Sequence, residues 1–464
     1  MLRCIRCGTE FPLYPLKSNC EKCGGTLEVT ANLPEATTLK FAGSGFWRYT
    51  QMLPPVKHEV SLGEGGTPLH KAERLAKAIG LKELYLKDET RNPTHSYRDR
   101  AAALLASDAI DHGFEVLVCA TNGNMGASLA AYSAREGLAC HILVPKIVDV
   151  GKLAQMLAYD AVIEEYGDIV DDSIHQAKKV ATETGWYQAT AELNPLVVEA
   201  QKTISYEINE QLGVPEWILV SMGSGGTIYS IWKGFKELKQ LGLAKTLPKM
   251  VGIQTEGCAA IVNAINNGNA KPEKTCNPST RALAILVGDP LQSELALKAI
   301  RESEGLALTV SDQEMLAAEL EVAKLEGVFA EPASAATVAA LKKLVKQGKI
   351  GKDCSVACLI TGSGLKATDV LQALNKRQKT AGLGLEISTK EKILRIISKK
   401  DTYGYDLWKQ LGKIMTRAAV YQHLNELSEK GLVVGYEENG KRFFKITEQG
   451  KRALAAFDDL KLLM

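Results

Sequence analysis

The stretch WILVSMGSGGTIYSIWKGFKEL, Trp217 to Leu238, decides the fold that the sequence predicts. It opens with a continuous apolar run, passes through the glycine-rich turn GSGGT and continues with helical periodicity. A strand that is apolar throughout is typical of a parallel sheet covered by helices on both faces. The glycine turn brings backbone N–H groups together at a helix N-terminus, which favours phosphate binding. A single loop of this kind is weak evidence, because many such loops are only tight turns.

The same alternation recurs through a middle segment, residues 38–379, and predicts an α/β fold with a mostly parallel sheet. Further strand candidates are Leu81 to Glu89, Val116 to Thr121, Cys140 to Pro145, Ala161 to Tyr166, Lys249 to Gly257 and Ser355 to Gly364. Ligands of such sheets bind at the carboxyl ends of the strands. Two more runs end there in polar turns, TNGNMG with Asn124 and TGSGLK with Thr361. The amide could donate to a ring oxygen, and the hydroxyl could meet a neutral ring nitrogen.

The N-terminal segment, residues 1–32, carries four cysteines spaced C-x2-C-x12-C-x2-C. They are Cys4, Cys7, Cys20 and Cys23. Four thiolates at this spacing suit tetrahedral structural zinc, which would substitute for a core that so short a segment cannot build. A catalytic zinc is disfavoured because four cysteines leave no open coordination position. Two unrelated redox pairs are the alternative.

Composition excludes several function classes. The 464 residues carry 56 basic and 54 acidic side chains, so no field of the whole chain recruits nucleic acid or membrane. We find no apolar run long enough to span a bilayer and no apolar leader, and we therefore expect a cytoplasmic protein. The remaining cysteines are scattered, which favours a reducing compartment.

The C-terminal segment, residues 388–464, changes character. Helical patterns lead to TRAAVYQHLNELSEKGLV, a hairpin LVVGYEENGKRFFKIT turning at Asn439-Gly440, and a last helix capped by Thr447. Three helices followed by a two-stranded wing predict a winged helix-turn-helix.

The order of motifs in the middle segment resembles threonine synthases of the tryptophan synthase β-like (fold type II) family of pyridoxal phosphate (PLP) enzymes. The motifs are LGEGGTPL (Leu62 to Leu69), LKDETRNPTHSYRDR, TNGNMGAS, GKLAQM, AQKTISYEI, SMGSGGT, GIQTEG, FAEPASAA and TGSGLK. The resemblance implies a two-lobed PLP domain, preceded here by a zinc ribbon similar to that of some archaeal threonine synthases.

The resemblance also implies site residues. Five consecutive residues would hold the cofactor phosphate: Gly223, Ser224, Gly225, Gly226 and Thr227. Asn124 would contact the ring hydroxyl and Thr361 the pyridine nitrogen. Thr67 and Ser96 would face the carboxylate or phosphate of the substrate. The implied reaction converts O-phosphohomoserine, or a related phosphorylated amino acid, to threonine and phosphate.

One position breaks the pattern. In the family the turn reads like NPTGSFKDR, and its lysine forms the Schiff base with PLP; here it reads NPTHSYRDR, with Arg98 in that place. A guanidinium is protonated at physiological pH and is not nucleophilic, so no imine can form on it. His95 replaces the usual glycine, and VVEAQKT lacks the arginine and glycine that often precede QKT. The fold is unaffected by these changes, but the reaction is in question.

Three interpretations of Arg98 follow. PLP binds without a covalent link, or through another lysine (Lys87, Lys152 or Lys202), and chemistry survives. Alternatively, Arg98 binds a carboxylate or phosphate and the domain senses a ligand. In the third, Arg98 is a scaffold charge paired with Asp99.

The C-terminal segment resembles PadR-type winged helices, which implies contact with double-stranded DNA. Arg417, Tyr421 and Gln422 would enter the major groove, while Lys441 and Arg442 on the wing would meet phosphates. Docking to protein is the alternative, since Glu426 and Glu429 would repel phosphates if exposed. The resemblance to threonine synthases favours a PLP-dependent lyase. The alternative is a catalytically inactive transcriptional regulator that joins a metabolite pocket to a winged helix and acts as a homodimer reading two half-sites.

Overall fold

The computed structural model describes residues 1–30, 33–367, 385–412, 416–438 and 441–454. The chain divides into two compact units, Met1–Val370 and Leu371–Met464. The predicted boundary at residue 379 lies outside the described residues, so the three predicted segments remain a prediction.

The first unit begins with a small antiparallel ribbon of three strands: β1 (Leu2–Cys4), β2 (Glu10–Phe11) and β3 (Leu27–Val29), in the order β2-β1-β3. Leu2 and Leu27 are buried in the same apolar core as the alanines of a neighbouring helix. Polar contacts add to this packing, because Arg6 Nε lies 2.8 Å from a Glu294 carboxylate oxygen and Lys233 donates to the Val29 carbonyl over 2.5 Å. The ribbon is therefore fastened to the rest of the unit.

Two mixed layers of strands and helices follow the ribbon. The elements are β4 (Leu69–Lys71), α1 (Glu73–Ile79), β5 (Glu83–Asp88), α2 (Arg98–Asp111), β6 (Val116–Ala120), α3 (Asn124–Glu136), β7 (Ala139–Val144), α4 (Val150–Ala158), β8 (Val162–Glu165), α5 (Val170–Thr184), β9 (Tyr187–Gln188), α6 (Leu196–Gln201), α7 (Thr203–Leu212), β10 (Trp217–Ser221), α8 (Gly226–Gln240), β11 (Lys249–Thr255), α9 (Ala260–Asn266), α10 (Ser293–Glu302), β12 (Leu306–Val310), α11 (Asp312–Glu326), α12 (Pro332–Lys346) and β13 (Ser355–Ile360). Short 3-10 turns lie at Ala36–Thr38, Phe46–Met52, Glu89–Arg91, Leu283–Ile285 and Gly364–Lys366.

These strands form two sheets, one for each lobe. The larger sheet has the order β12-β11-β10-β13-β5-β4, and the smaller has the order β8-β7-β6-β9. Every neighbouring pair is parallel except β4 with β5. The predicted α/β fold with parallel sheets is confirmed, and each of the seven strand candidates overlaps an observed strand.

Helix α2 shows why the small lobe folds as it does. Its alanine-rich stretch, residues 101–106, combines high helix propensity with small side chains. All six of these residues are fully buried, so α2 runs through the interior of the lobe. Asp108, near its other end, accepts a hydrogen bond from Tyr187 over 2.6 Å. The helix and its first residue, Arg98, are thus fixed by packing along the whole length.

The second unit has the predicted winged helix-turn-helix elements. They are α13 (Leu385–Lys399), β14 (Thr402–Tyr403), α14 (Gly404–Gln410), α15 (Arg417–Glu429), β15 (Val433–Glu438) and β16 (Lys441–Ile446). β15 and β16 pair antiparallel from Val433↔Ile446 to Glu438↔Lys441, as the wing requires. The predicted turn at 439–440 lies outside the described residues. Strand β14, which pairs with β16, was not predicted.

Packing in this unit follows the helical periodicity of the sequence. Ile393 and Ile397 of α13, Leu424 of α15 and Phe444 of β16 are buried together. Thr447 caps a last helical stretch, because its hydroxyl oxygen accepts the N–H of Gly450 over 3.0 Å. That capping was predicted and is confirmed. Among the helices of the described ranges, none is both long and apolar enough to cross a bilayer.

Candidate ligand and metal sites

The predicted phosphate cradle lies between the end of β10 and the start of α8. Gly225 has φ +102°, a conformation that favours glycine. A Cβ at Gly225 would lie 2.7 Å from Ala296, and one at Gly226 would lie 2.0 Å from Gln292 Oε1. Gly225 is therefore required by the turn and by close packing, whereas Gly226 contacts the end of the Gln292 side chain. Gly225, Gly226 and Thr227 line the cavity described next.

That cavity, of about 70 Å³, is enclosed by residues of both lobes. Its lining includes eight of the predicted site residues: Arg98, Asn124, Gly223, Ser224, Gly225, Gly226, Thr227 and Thr361. They are separated by as many as 263 positions in sequence, from 98 to 361. Asn124 follows β6 of the smaller sheet, whereas the cradle and Thr361 follow β10 and β13 of the larger sheet, so strand ends of both sheets meet at the cavity.

Thr67 and Ser96 are not among the lining residues of this cavity. Thr67 is buried and donates to the carboxylate of Glu89 over 2.6 Å. The Ser96 hydroxyl accepts the backbone N–H of Arg98 over 3.2 Å. Both side chains have structural partners, and their assignment to substrate remains a prediction.

Asn124 and Thr361 also line the cavity. The Asn124 amide donates to both oxygens of Glu331, over 2.9 and 3.1 Å, and its Oδ1 is buried without a hydrogen-bond partner. The Thr361 hydroxyl lies 2.7 Å from that of Ser334. Buried amide oxygens are almost always hydrogen-bonded. This oxygen is therefore available to accept a hydrogen bond from a ligand.

Arg98 is the first residue of α2 and is half-buried at the cavity. Its guanidinium lies over the ring of Tyr97, 4.8 Å from the centroid. Within the described ranges no carboxylate oxygen approaches it to 4.0 Å. Asp99 is instead fully buried and accepts from the N–H and hydroxyl of Thr94, over 2.7 and 2.6 Å. The third interpretation, a scaffold charge paired with Asp99, is therefore wrong, and Arg98 is a cation that lines the cavity.

The three lysines that could replace the Schiff-base lysine are all held elsewhere. Lys87 lies 2.6 Å from Glu207, Lys152 lies 2.7 Å from Asp149, and Lys202 lies 2.7 Å from Glu199. All three amines are buried, and no lysine is among the residues that line the cavity. None of these three amines is available at the cavity for a covalent link.

Arg100 explains how the turn is anchored. Its fully buried guanidinium pairs with Glu89 over 2.8 Å and with Glu207 over 2.6 Å. Glu207 also accepts the N–H of Gly66, which ties the LGEGGT loop to the same cluster. The guanidinium holds the pKa of Glu207, despite its burial, well below the usual range. Arg100 therefore fixes α2, and with it the position of Arg98.

Sequence reasoning missed two carboxylates of the cavity, Glu192 and Glu331. Glu331 stood within the quoted FAEPASAA motif but was given no role. Glu192 precedes the NPLVVEAQKT stretch, and no sequence signal placed it at the cradle. In the structure Ser224 donates to Glu192 Oε1 over 3.1 Å. A carboxylate therefore lies against the turn that was predicted to hold phosphate.

The fit of the cavity to PLP can be judged from these residues. The glycine-rich cradle, Asn124 and Thr361 are the groups that the family resemblance assigns to a phosphorylated ring, and all of them line the cavity. Two features do not fit. No amine lines the cavity to bind an aldehyde, and the Glu192 carboxylate would repel a phosphate at Ser224. We therefore derive no reaction step through this group.

The four cysteines of the ribbon converge as predicted. Their sulfur atoms all lie within 4.8 Å of one another, with Cys4 to Cys23 at 3.5 Å and Cys7 to Cys20 at 3.7 Å. A hydrogen bond with Thr9 helps to lower the pKa of the Cys7 thiol to about 6, which favours the thiolate that binds metal. The donor set fits a structural Cys4 zinc site.

The predicted DNA-contacting residues divide between helix α15 and the wing. Tyr421 of α15 is exposed, and Gln422 donates to Glu426 over 3.2 Å. Arg417 lies over the rings of Tyr405 and Trp408, at 5.1 and 5.0 Å.

The repulsion expected from Glu426 is weakened by a partner. Lys390 lies 2.8 Å from its carboxylate and lowers its pKa. On the wing, Lys441 and Arg442 lie over the rings of Tyr403 and Phe444, at 4.7 and 5.4 Å. The wing therefore presents two adjacent cations.

Comparisons with known proteins agree with this architecture. Residues 60–362 match the model of the pyridoxal-phosphate dependent enzyme family, and residues 393–456 match the transcriptional regulator PadR-like family. The chain is 41% identical over 372 residues to a threonine synthase of Methanosarcina acetivorans, covering 79% of this chain and 92% of that protein. It is 40% identical over 405 residues to a threonine synthase of Methanocaldococcus jannaschii, covering 85% of this chain and 99% of that protein.

Solved structures give the same fold at lower identity. The processed form of threonine deaminase isoform 2 from Solanum lycopersicum superposes with a TM-score of 0.57 at 20% identity, covering 67% of this chain and 82% of that chain. Maize serine racemase superposes with a TM-score of 0.56 at 18% identity, covering 67% of this chain and 92% of that chain. From the family match and the threonine synthase relatives, we conclude that this chain belongs to the pyridoxal-phosphate dependent enzyme family, as a threonine synthase-like member that carries a C-terminal PadR-like domain.

Proposed function

We propose that this protein is a ligand-responsive DNA-binding regulator. Its threonine synthase-like domain binds a small molecule of amino-acid metabolism without forming a Schiff base, and its PadR-like domain binds double-stranded DNA. One observation carries the proposal: Arg98 occupies the Schiff-base position, and no lysine is among the cavity-lining residues. Because a guanidinium can bind an anion but cannot attack a carbonyl, recognition is retained while covalent catalysis is lost.

In this proposal the winged helix is the part of the protein that binds DNA. Two cations on the wing and the exposed side of α15 suit contacts with phosphates and base edges. A homodimer reading two half-sites is part of this proposal, as is a cytoplasmic location, where all ten cysteines would stay reduced.

Conversion of O-phosphohomoserine to threonine and phosphate is the second candidate. It is favoured by about 40% identity to threonine synthases, which extends over 85% of this chain in one case. This candidate requires PLP, bound either without a covalent link or through an amine that moves into the cavity. Family membership supports PLP, and its chemistry would be the stabilisation of a substrate carbanion.

A spectroscopic experiment separates the two candidates. The purified protein is mixed with PLP, its visible spectrum is recorded, and borohydride is added before peptide mass mapping. The Arg98→Lys variant serves as the matched positive control. The regulator proposal predicts no PLP-modified lysine and no phosphate release from O-phosphohomoserine in the native protein. A modified lysine together with phosphate release would establish the enzyme instead.

DNA binding is tested separately by gel shift with genomic fragments from around the protein's own coding region. We expect retention that weakens as salt rises, because phosphate contacts release counterions. The Lys441→Ala/Arg442→Ala double variant should lose it. If the native protein retains no fragment at low salt, protein docking is the better account of the winged helix.

A further inference from the structure

The cavity contains one unpaired cation and one unpaired anion. Arg98 has no carboxylate oxygen within 4.0 Å, as described above. Glu192 is half-buried at the same cavity, and among the described residues no lysine, arginine or histidine nitrogen lies within 4.0 Å of its carboxylate. The two charges do not neutralise each other either, since no ion pair joins them. A ligand would therefore meet both signs of charge.

The other carboxylate of the cavity is already neutralised. Glu331 lies 3.2 Å from the buried amine of Lys152 and accepts both hydrogen bonds of the Asn124 amide. It therefore adds no free charge to the lining. This leaves Arg98 and Glu192 as the charges available to a ligand.

Glu192 also changes what the cradle can accept. Ser224 belongs to the glycine-rich turn, and its hydroxyl donates to Glu192 over 3.1 Å. A phosphate placed at this turn would meet a negative carboxylate and would compete for that hydroxyl. An ammonium group placed there would be attracted by the same carboxylate. The charge arrangement selects against a phosphate at a turn whose backbone suits one.

The size of the cavity favours a small ligand. Its volume of about 70 Å³ is well below the roughly 300–1,000 Å³ of sites for drug-sized ligands. The vacant Asn124 Oδ1 offers a further acceptor, which an ammonium or hydroxyl hydrogen would satisfy. A compact molecule with one carboxylate and one ammonium meets all of these features.

We propose that the cavity binds a free, unphosphorylated α-amino acid as its zwitterion. Its carboxylate binds the Arg98 guanidinium, and its ammonium binds the Glu192 carboxylate, with Asn124 Oδ1 as an additional acceptor. This inference rests on the proposed non-catalytic function and names its ligand class. Arg98 and Glu192 are thereby the residues that determine specificity.

Calorimetry on the full-length protein tests the proposal. The probes are the twenty common L-amino acids and L-homoserine, with inorganic phosphate, O-phosphohomoserine and PLP as the phosphorylated set. We expect at least one free amino acid to bind more tightly than every phosphorylated probe. The N-acetyl and carboxamide derivatives of that amino acid, each lacking one charge, should bind at least tenfold more weakly.

Two variants separate the charges. Glu192→Gln keeps an acceptor for Ser224 but removes the negative charge. We expect this variant to bind the amino acid at least tenfold more weakly and to bind PLP or phosphate more tightly. Arg98→Gln should also bind the amino acid at least tenfold more weakly. Glu304→Gln, a change of an exposed carboxylate outside the cavity, is the matched control and should leave the affinity unchanged.

The outcomes distinguish this inference from the function on which it rests. Tighter binding of a phosphorylated probe by the native protein, no binding of any free amino acid, or an unchanged affinity in Glu192→Gln would each overturn the amino-acid assignment. Those results leave the regulator proposal standing as long as no lysine is modified by PLP. Phosphate release from O-phosphohomoserine would overturn both.

Discussion

Arg98 and Arg100 lie two positions apart at the start of α2, but only Arg100 is paired with carboxylates. Arg100 is fully buried, whereas Arg98 is half-buried at the cavity. Two arginines within one turn of the helix therefore have different roles. Arg100 stabilises the fold, and Arg98 is left free to contact a ligand.

Replacing Arg100 with methionine should destabilise the protein strongly. The change leaves Glu89 and part of Glu207 as buried charges without their main partner, and breaking a buried pair typically costs about 3–5 kcal/mol. Chemical denaturation monitored by circular dichroism measures the loss. Arg98→Met is the matched control, with an expected change of less than about 1 kcal/mol because no ion pair is broken. Equal losses in the two variants would contradict this division of roles.

If the four cysteines bind zinc, as predicted, removing the metal should weaken ligand binding as well as stability. The Thr26 hydroxyl donates to the carbonyl of Leu291 over 3.4 Å. The next residue, Gln292, packs against Gly226 of the cradle. We expect a chelator, or Cys7→Ser, to release zinc, lower the melting temperature and reduce affinity for the cavity ligand.

The control for the zinc experiment is Cys276→Ser, which alters an exposed cysteine outside the cluster. Metal analysis, thermal melting and calorimetry are compared for the two variants. If zinc is lost while ligand affinity stays at the native value, the ribbon does not support the cradle.

Lys366 gives a prediction for stability against pH. Burial lowers its pKa to about 8, compared with about 10.4 for an exposed lysine. Below pH 8 both folded and unfolded states hold the proton, so a charged amine is buried at a cost. Between about pH 8 and pH 10.4 only the unfolded state holds it, so this contribution to stability rises with pH, by about 3 kcal/mol over the window.

The measurement compares the native protein with Lys366→Met. Their difference in free energy of unfolding should shift by about 3 kcal/mol in favour of the native protein from pH 8 to pH 10.4. Lys349→Met, at an exposed site, should show a constant difference. A constant difference for Lys366→Met too would show that its amine titrates normally.

The wing predicts a measurable salt dependence. Lys441→Ala and Arg442→Ala should each reduce the slope of log affinity against log salt by about 1, if each contacts one phosphate. Lys346→Ala in α12 removes an exposed charge from the other unit and should leave the slope unchanged. Unaltered slopes in both wing variants would show that the wing does not contact DNA phosphates.

The parts of the site that sequence could predict are those with a local signal. Gly223 to Thr227, Asn124 and Thr361 each follow an apolar strand. Parallel pairing brings the turns after β10 and β13 to one edge of the larger sheet, and Asn124 joins them from the end of β6 in the smaller sheet. The roles of Glu192 and Lys152 depend on partners far away in sequence: Ser224 is 32 positions from Glu192, and Glu331 is 179 positions from Lys152. No local pattern encodes those distances.

The short strand β14 was missed for a related reason. Thr402–Tyr403 has only two residues, too few to show alternation, and it becomes a strand only because β16 is available to pair with it. Predicted strands such as β6, β10 and β13 have continuous apolar runs, whose burial makes them recognisable before any partner is known.

The stacking of Arg417 on Trp408 has a practical consequence. Trp408 is the one tryptophan in the sequence of the C-terminal unit, and the guanidinium lies 5.0 Å from its ring. If Arg417 moves to a DNA phosphate, the indole loses a neighbouring charge, and its emission should change. The protein would then carry an intrinsic optical reporter of DNA engagement, readable without a label.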